Sequence, residues 1–357
     1  MLNKNIYNIA LLGCGRIAER HANLLSNKEI QYANLVAVCD INKKRADTFG
    51  KKFSVNKYYD LQNMMVSENI DVVVVLTDSG LHFQNVMDLI DYGVDLIVEK
   101  PLALRIDHID LMIKASEEKN IKLFVVKQNR FNLPVVELSK AIKQKRFGKL
   151  TLGTVRVRWC RDQNYYDQDD WRGSWLFDGG VIANQASHHI DLLQWCMGEV
   201  ESVYAVSRNS IAKIETEDTA IALLTFKNGA LGVVEATTAA RPTDLEGSIS
   251  ILGSEGTVEI GGFAVNEIKH WNFCNPRKED EHIIKNSSTN PPNVYGFGHK
   301  EYYNYILDCL KRDVPGNLSG REGKKSVELI NAIYASAETG QTIFLDSFNQ
   351  KSKLGFK

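Results

Sequence analysis

Apolar and β-branched runs recur through the first third of the chain, at 9–12, 35–39, 72–76, 96–98 and 123–126. Between them, at about 16–26, 42–52, 82–92 and 105–119, apolar positions return with the helical period. Strands that are apolar on both faces and separated by helices predict a parallel sheet covered on each side.

The pattern changes after Asn129. Pro134 opens a helix that ends near Gly148, with Pro inside the first turn and Gly beyond the last. A strand is expected over 150–159, then an aromatic polar loop, then a helix over 181–197. Two hairpins follow, one turning at Asn228-Gly229 and one at residues 253–256. The weakly periodic stretch 274–297 reads as a long loop, and helices near 299–312 and 321–338 close the chain. The expected fold is α/β. A Rossmann parallel sheet over 1–127 is followed over 128–357 by an α+β domain with a large, mostly antiparallel open sheet.

The strand over 219–226 is apolar on both sides, with Ala220, Ala222 and Leu224 on one and Ile221, Leu223 and Phe226 close to the other. One face meets helices. The other needs cover, which a partner subunit would provide, so a homodimer or homotetramer is expected.

Composition narrows the class. The 357 residues suit about two domains, and 44% hydrophobic with 24% charged residues excludes disorder. Lys plus Arg is 43 against 44 Asp plus Glu, so no charge excess favours nucleic acid or an anionic membrane. The six cysteines include no CxxC pair, so no metal site is expected, and their scatter fits free thiols in a reducing compartment. The first apolar run is too short for a signal peptide or a membrane span, and no later run is long enough to cross. These readings predict a cytoplasmic protein.

Gly13-Cys14-Gly15-Arg16-Ile17-Ala18 follows the first strand and opens a helix. Gly13 suits a tight turn, Gly15 lets backbone approach a pyrophosphate, and Ala18 permits close helix–strand packing. Asp40 ends the second strand near the ~20-residue spacing of a ribose-binding acid. Its carboxylate would repel a 2′-phosphate, so NAD is expected over NADP, although Lys43 and Lys44 could offset that repulsion. Glu99-Lys100-Pro101 lies just past another strand, where ligands bind in doubly wound sheets.

In their order along the chain, the GCGRIA loop, Asp40, the TDSGLH segment with Thr77 and His82, the EKP and the DGG…HxID helix at 178–191 resemble the Gfo/Idh/MocA family of oxidoreductases. The resemblance implies an N-terminal Rossmann domain and an open-sheet domain that binds substrate and makes dimers or tetramers. It implies Gly13, Gly15, Arg16, Ile17, Asp40, Thr77, His82, Glu99, Lys100 and Gln128 at the cofactor. Glu99 would lie near the nicotinamide ribose. Lys100 and a later histidine would sit at the reacting carbon.

On the helix expected over 181–197, Asn184, His188 and Asp191 share one face and His189 points elsewhere. By resemblance His188 is the catalytic histidine, and Asn184 stands where many members carry Asp. Asp191 is either an orienting partner of His188 or a buried structural acid.

Arg156 and Arg158 alternate with apolar residues and share one strand face, while Arg161 and Arg172 lie in or beside the next loop with Tyr165, Tyr166, Trp171 and Trp175. Arginine forks suit carboxylates and phosphates. This stretch, with the Asn-Gln-x-x-His form of the helix, resembles the UDP-N-acetylglucosaminuronate 3-dehydrogenase subgroup, which serves bacterial surface polysaccharide synthesis. A UDP-sugar acid would account for Arg156, Arg158, Arg161, Arg172 and Tyr165 as substrate-binding residues. Some members reoxidise bound cofactor with 2-oxoglutarate, a point this sequence leaves open. The alternatives are a family member acting on another sugar or cyclitol, an NAD-using glycosidase of the same fold, and a dinucleotide-binding regulator without catalysis.

Overall fold

The computed structural model describes residues 6–289, 291, 295–348 and 352–356. Along the chain the first elements are β1 (Tyr7–Leu12), α1 (Arg16–Ser26), β2 (Ala33–Cys39), α2 (Lys43–Phe53), β3 (Asn56–Tyr58), α3 (Leu61–Ser67), β4 (Val72–Val75), α4 (His82–Leu89), β5 (Asp95–Val98), α5 (Ile106–Glu118) and β6 (Leu123–Val125). Then come α6 (Leu133–Lys143), β7 (Leu150–Arg158), α7 (Gln163–Tyr166), α8 (Ser187–Met197), β8 (Val200–Arg208), β9 (Thr219–Phe226), β10 (Leu231–Thr237), β11 (Glu246–Gly253), β12 (Gly256–Gly261) and β13 (Glu267–Phe273). The last are α9 (Glu279–Ser287), α10 (His299–Lys311), α11 (Gly320–Thr339) and β14 (Ile343–Phe344).

The chain divides into two compact units, Met1–Lys127 with His299–Lys324, and Gln128–Gly298 with Lys325–Lys357. The sequence reading assigned all of 128–357 to the second. Segment 299–324 groups with the first because α10 buries Tyr302, Tyr303 and Ile306 completely, and the Tyr303 hydroxyl meets His21 of α1.

The first unit holds a six-stranded parallel sheet in the order β3-β2-β1-β4-β5-β6. All four valines of β4 are fully buried, as a strand covered on both faces requires. Topology reverses between β1 and β4, the switch point at which open α/β sheets bind ligands.

The second unit holds an eight-stranded sheet in the order β13-β12-β11-β7-β10-β9-β8-β14, antiparallel except for β7 beside β10. Helix α8 covers one face, with Leu193 and Met197 lying where a Cβ on Gly153 of β7 would go. The uncovered face carries Tyr204, Val206, Ile221 and Leu223, which are between 41% and 55% exposed. Phe226, expected near that side, is fully buried with Ala220, Ala222 and Leu224, because the two-residue period of β9 carries it inward.

The sequence reading did not foresee β3, α3, β8 or β13, and two of the segments it did assign depart from it. The stretch 274–297 contains α9, tied down by Asp280, which accepts from both Arg146 Nη1 and Nη2 at 2.6 and 2.7 Å. Residues 290 and 292–294 of that stretch lie outside the described residues. The helix expected over 181–197 begins only at Ser187.

Candidate functional site

In the first unit, the turn after β1 has the form a dinucleotide requires. Gly13 sits at φ +99°, and a Cβ there would lie 2.7 Å from the Leu76 carbonyl oxygen, so only glycine fits. A Cβ on Gly15 would meet no atom within 4 Å, which leaves bare backbone for a pyrophosphate. Gly15 caps α1 without any side-chain hydrogen bond, so the first-turn N–H groups contributed by Arg16, Ile17 and their neighbours face outward at the positive end of the helix. Asp40 closes the turn: its Oδ2 accepts from Cys14 N at 2.8 Å and its Oδ1 from Asn42 N at 2.7 Å. The carboxylate is thereby held at the β2 end with lone pairs to spare for ribose hydroxyls. These residues fit a bound NAD.

Thr77 and His82 build the neighbouring strand exit. The Thr77 hydroxyl donates to Asn85 Oδ1 at 2.6 Å. The His82 ring is buried, with Nδ1 2.8 Å from the Pro101 carbonyl and Nε2 3.0 Å from the Thr77 carbonyl. Burial lowers its pKa while the two backbone carbonyls work the other way, and the ring joins the two loops. Glu99 is buried and half-buried Lys100 follows it, the Lys100 backbone N–H donating to Glu99 Oε2 at 2.9 Å.

In the second unit, the segment Asp178–Asn184 wraps over a buried pair, Glu217 and Tyr334. Glu217 Oε1 accepts from Ile182 N at 2.9 Å and from the Tyr334 hydroxyl at 3.0 Å. The Tyr334 oxygen in turn accepts from Gly180 N at 2.9 Å and Ala183 N at 3.3 Å. Side chains thus satisfy the N–H groups of this turn, and α8 starts six residues later than expected. A Cβ on Gly180 would lie 2.2 Å from the Glu217 carbonyl oxygen. Burial pushes the Glu217 carboxyl up to about 7, despite the hydrogen bonds from Ile182 and Tyr334 that favour its anion.

This turn delivers Asn184 and His188. Asn184 Nδ2 donates to Asp178 Oδ1 at 2.5 Å, and Asp178 Oδ2 accepts from Gly173 N at 2.8 Å. The Gln128 amide nitrogen lies 3.0 Å from His188 Nε2 and aligns the ring, placing Gln128 in the second unit beside His188. Asp191 is buried and takes a bidentate bond from Arg130, Nε and Nη2 each at 2.8 Å. His189 is turned against Trp159, ring centroids 5.8 Å apart, and desolvation lowers its pKa to about 4.

The arginines separate into two groups. Val155, Val157 and Trp159 face α8, so the alternation of β7 puts Arg156 and Arg158 on the other face of the sheet. There the Arg158 fork binds Glu235 at 2.7 and 2.8 Å, and Glu246 accepts from Arg158 at 3.1 Å and from Arg156 at 3.4 Å. The other two stay with the α8 segment. The Tyr165 ring centroid is 5.4 Å from the Arg161 guanidinium and 4.7 Å from that of Arg172. Arg172 Nη1 and Gln185 Nε2 donate to the Tyr165 hydroxyl at 2.8 and 3.4 Å. Arg161 also bonds Asp244 at 2.8 Å.

The sequence reading missed Glu217, Tyr334, Arg130, Gln185 and His21. Three carried a visible signal: Glu217 lies in an acidic ETED run directly before an apolar strand, Gln185 follows Asn184, and His21 lies one turn past Ala18.

A parallel sheet with this glycine turn and this strand-end acid defines a dinucleotide-binding enzyme of the Rossmann class. Family models agree for both halves: residues 7–127 match the oxidoreductase family's NAD-binding Rossmann fold and 139–345 its C-terminal alpha/beta domain. The structure is similar to the WlbA dehydrogenase from Chromobacterium violaceum in complex with NADH and UDP-GlcNAcA, with 40% identity, 95% of this chain and 96% of that chain covered, and TM-score 0.89. It is equally similar to the WlbA dehydrogenase from Bordetella pertussis in complex with the same two ligands, at 40% identity, 96% and 98% coverage and TM-score 0.88. Among curated proteins, the myo-inositol 2-dehydrogenase of Thermotoga maritima is 27% identical over 352 residues, 95% of this chain and 98% of its own. The chain belongs to the Gfo/Idh/MocA oxidoreductase family, and is an NAD-dependent oxidoreductase acting on a CH–OH group of the sugar and cyclitol dehydrogenase kind.

Proposed function

We propose that the enzyme oxidises the C3 hydroxyl of UDP-N-acetylglucosaminuronate to the 3-keto sugar, within bacterial surface polysaccharide synthesis. The observation that carries this reading is the 40% identity, over 95% of the chain, with a dehydrogenase solved with UDP-GlcNAcA. The two arginines at Tyr165, Arg161 and Arg172, support it, since guanidinium groups suit the diphosphate or uronate of such a substrate. The first unit holds the dinucleotide and the second reads the sugar.

Bound NAD supplies the hydride acceptor. The alcohol must also lose a proton, and His188, as an imidazole, is a suitable base. Gln128 keeps its ring aligned for that transfer. The Lys100 ammonium donates to the same oxygen and offsets alkoxide charge. Asn184, steadied by Asp178, positions the hydroxyl. Arg156 and Arg158, neutralised by Glu235 and Glu246, steady the uncovered sheet face, and that face pairs copies of the chain.

A second reading, oxidation of a free sugar or cyclitol, is favoured by the match to myo-inositol 2-dehydrogenase. Incubation with NAD and UDP-GlcNAcA, with and without 2-oxoglutarate, followed by mass spectrometry, separates the two. A product lighter by two hydrogens supports the first reading, and stimulation by 2-oxoglutarate identifies the reoxidant. Turnover of myo-inositol or free sugars with none of the UDP-sugar replaces it with the second.

A further inference from the structure

Four polar side chains from distant parts of the sequence close into one cluster inside the first unit, and the mechanism above uses none of them. His21 lies in α1, Glu99 just past β5, and His299 and Tyr303 in α10. His21, His299 and Tyr303 are fully buried, and Glu99 is 7% exposed. The two imidazoles meet edge to face with centroids 5.3 Å apart. His21 Nε2 lies 3.1 Å from Glu99 Oε1, and His21 Nδ1 lies 2.6 Å from the Tyr303 hydroxyl oxygen. The second Glu99 oxygen accepts the Lys100 backbone N–H at 2.9 Å.

The hydrogen-bond polarity follows from the donor inventory. An ionised carboxylate only accepts, so His21 Nε2 carries the hydrogen whatever the charge of the ring. With a neutral ring, Nδ1 accepts from Tyr303, whose phenol is held protonated by burial and by Glu99. Burial works against the Glu99 anion, yet the hydrogen bond from His21 favours it, and its pKa comes down to about 2. The chain of bonds then runs from Tyr303 through His21 to Glu99, and ends on the backbone of Lys100. A buried charge-assisted bond is stronger and stiffer than a solvated one. The carboxylate plane, and with it the direction in which the chain leaves β5, is fixed from behind by an imidazole.

We propose that His21 is a positioning residue for Lys100, acting through Glu99 and backed by Tyr303. The inference rests on the reading that Lys100 serves the reacting hydroxyl. His21→Leu, His21→Gln, Tyr303→Phe and Lys100→Met are compared in the full-length enzyme. Two quantities are read: kcat and KM for UDP-GlcNAcA, and the pH dependence of Lys100 acetylation by acetic anhydride without substrate, followed by mass spectrometry. Removing the imidazole is expected to lower kcat on the order of 10–100-fold with little change in KM, and to shift the acetylation profile. His21→Gln, which keeps an N–H for Glu99, should recover most of both. Tyr303→Phe should move both the same way by less, and it stands in should His21→Leu not fold. Wild-type kcat and an unshifted Lys100 profile in His21→Leu, or in Tyr303→Phe where the former is unfolded, would overturn the inference even with Lys100→Met inactive. Full turnover in Lys100→Met would overturn it from the other side, through the role of Lys100 itself.

Discussion

Neighbouring histidines on α8 differ in chemistry because the helix turns them toward different surroundings. His189 is 1% exposed against Trp159, and desolvation keeps it neutral with a pKa of about 4. His188 is half-buried and held by Gln128, so it can both meet solvent-borne substrate and stay oriented. His188→Ala should therefore lower kcat on the order of 10²–10⁴-fold, while NADH still quenches and shifts in fluorescence on binding. His189→Leu should change the unfolding midpoint rather than kcat. Equal losses of kcat in both would undo the assignment. The second residue to test is Glu217, whose folded pKa of about 7 lies above its reference value of 4.5. The folded state therefore holds the extra proton. Its contribution is complete below about pH 4.5 and is lost as pH rises through about 7, a change on the order of 3 kcal/mol. Urea unfolding at about pH 5 and pH 7.5 should show a smaller pH-dependent loss in Glu217→Gln than in the wild type, and parallel behaviour would disprove it.

At the level of elements, legibility depended on whether a segment is specified locally. The Rossmann strands and helices follow their own periodicity, and α1 begins where GCGRIA predicts. The α8 start does not: the turn before it is held by Glu217 and Tyr334, which lie 35 or more residues downstream of the N–H groups they accept from. For the same reason α9 was hidden: its anchor is Arg146, a tertiary partner that periodicity cannot reveal. The cofactor half of the site was legible as a contiguous motif. The substrate half was legible as residue types, but the division of Arg156 and Arg158 from Arg161 and Arg172 needed the register of β7. The Asp178–Asn184 turn is the element where fold and site meet most tightly, since a Cβ on Gly180 would fall 2.2 to 2.3 Å from Glu217 atoms. Gly180→Ala should cost about 1–3 kcal/mol and raise KM for the sugar nucleotide, because Asn184 moves with the turn. A variant with unchanged stability and KM would show that the turn yields without effect.

Considered as a molecule, the second unit has, among the described residues, one sheet face without helices, and the residues of that face fall into two zones. Toward β8 and β9, Val206 pairs with Ile221 and Tyr204 with Leu223, an apolar strip of side chains 41% to 55% exposed. Toward β7 and β11, Arg156 and Arg158 interlock with Glu235 and Glu246. A strip of this kind on a sheet is costly to leave in water and invites a complementary surface. Salt-bridged arginines at its margin resemble the polar rim of an interface, where charge sets register more than affinity. An apolar strip on one sheet face can cover the same strip on a second copy about a twofold axis. Leu223→Asp should then convert the assembled enzyme to a smaller species in light scattering at micromolar concentration, with NADH binding retained, because β9 belongs to the second unit and the dinucleotide turn to the first. Arg158→Ala should weaken assembly less and make it less salt-sensitive. A wild-type chain that is monomeric under those conditions, or a Leu223→Asp variant that assembles as the wild type does, would leave the apolar strip without this role.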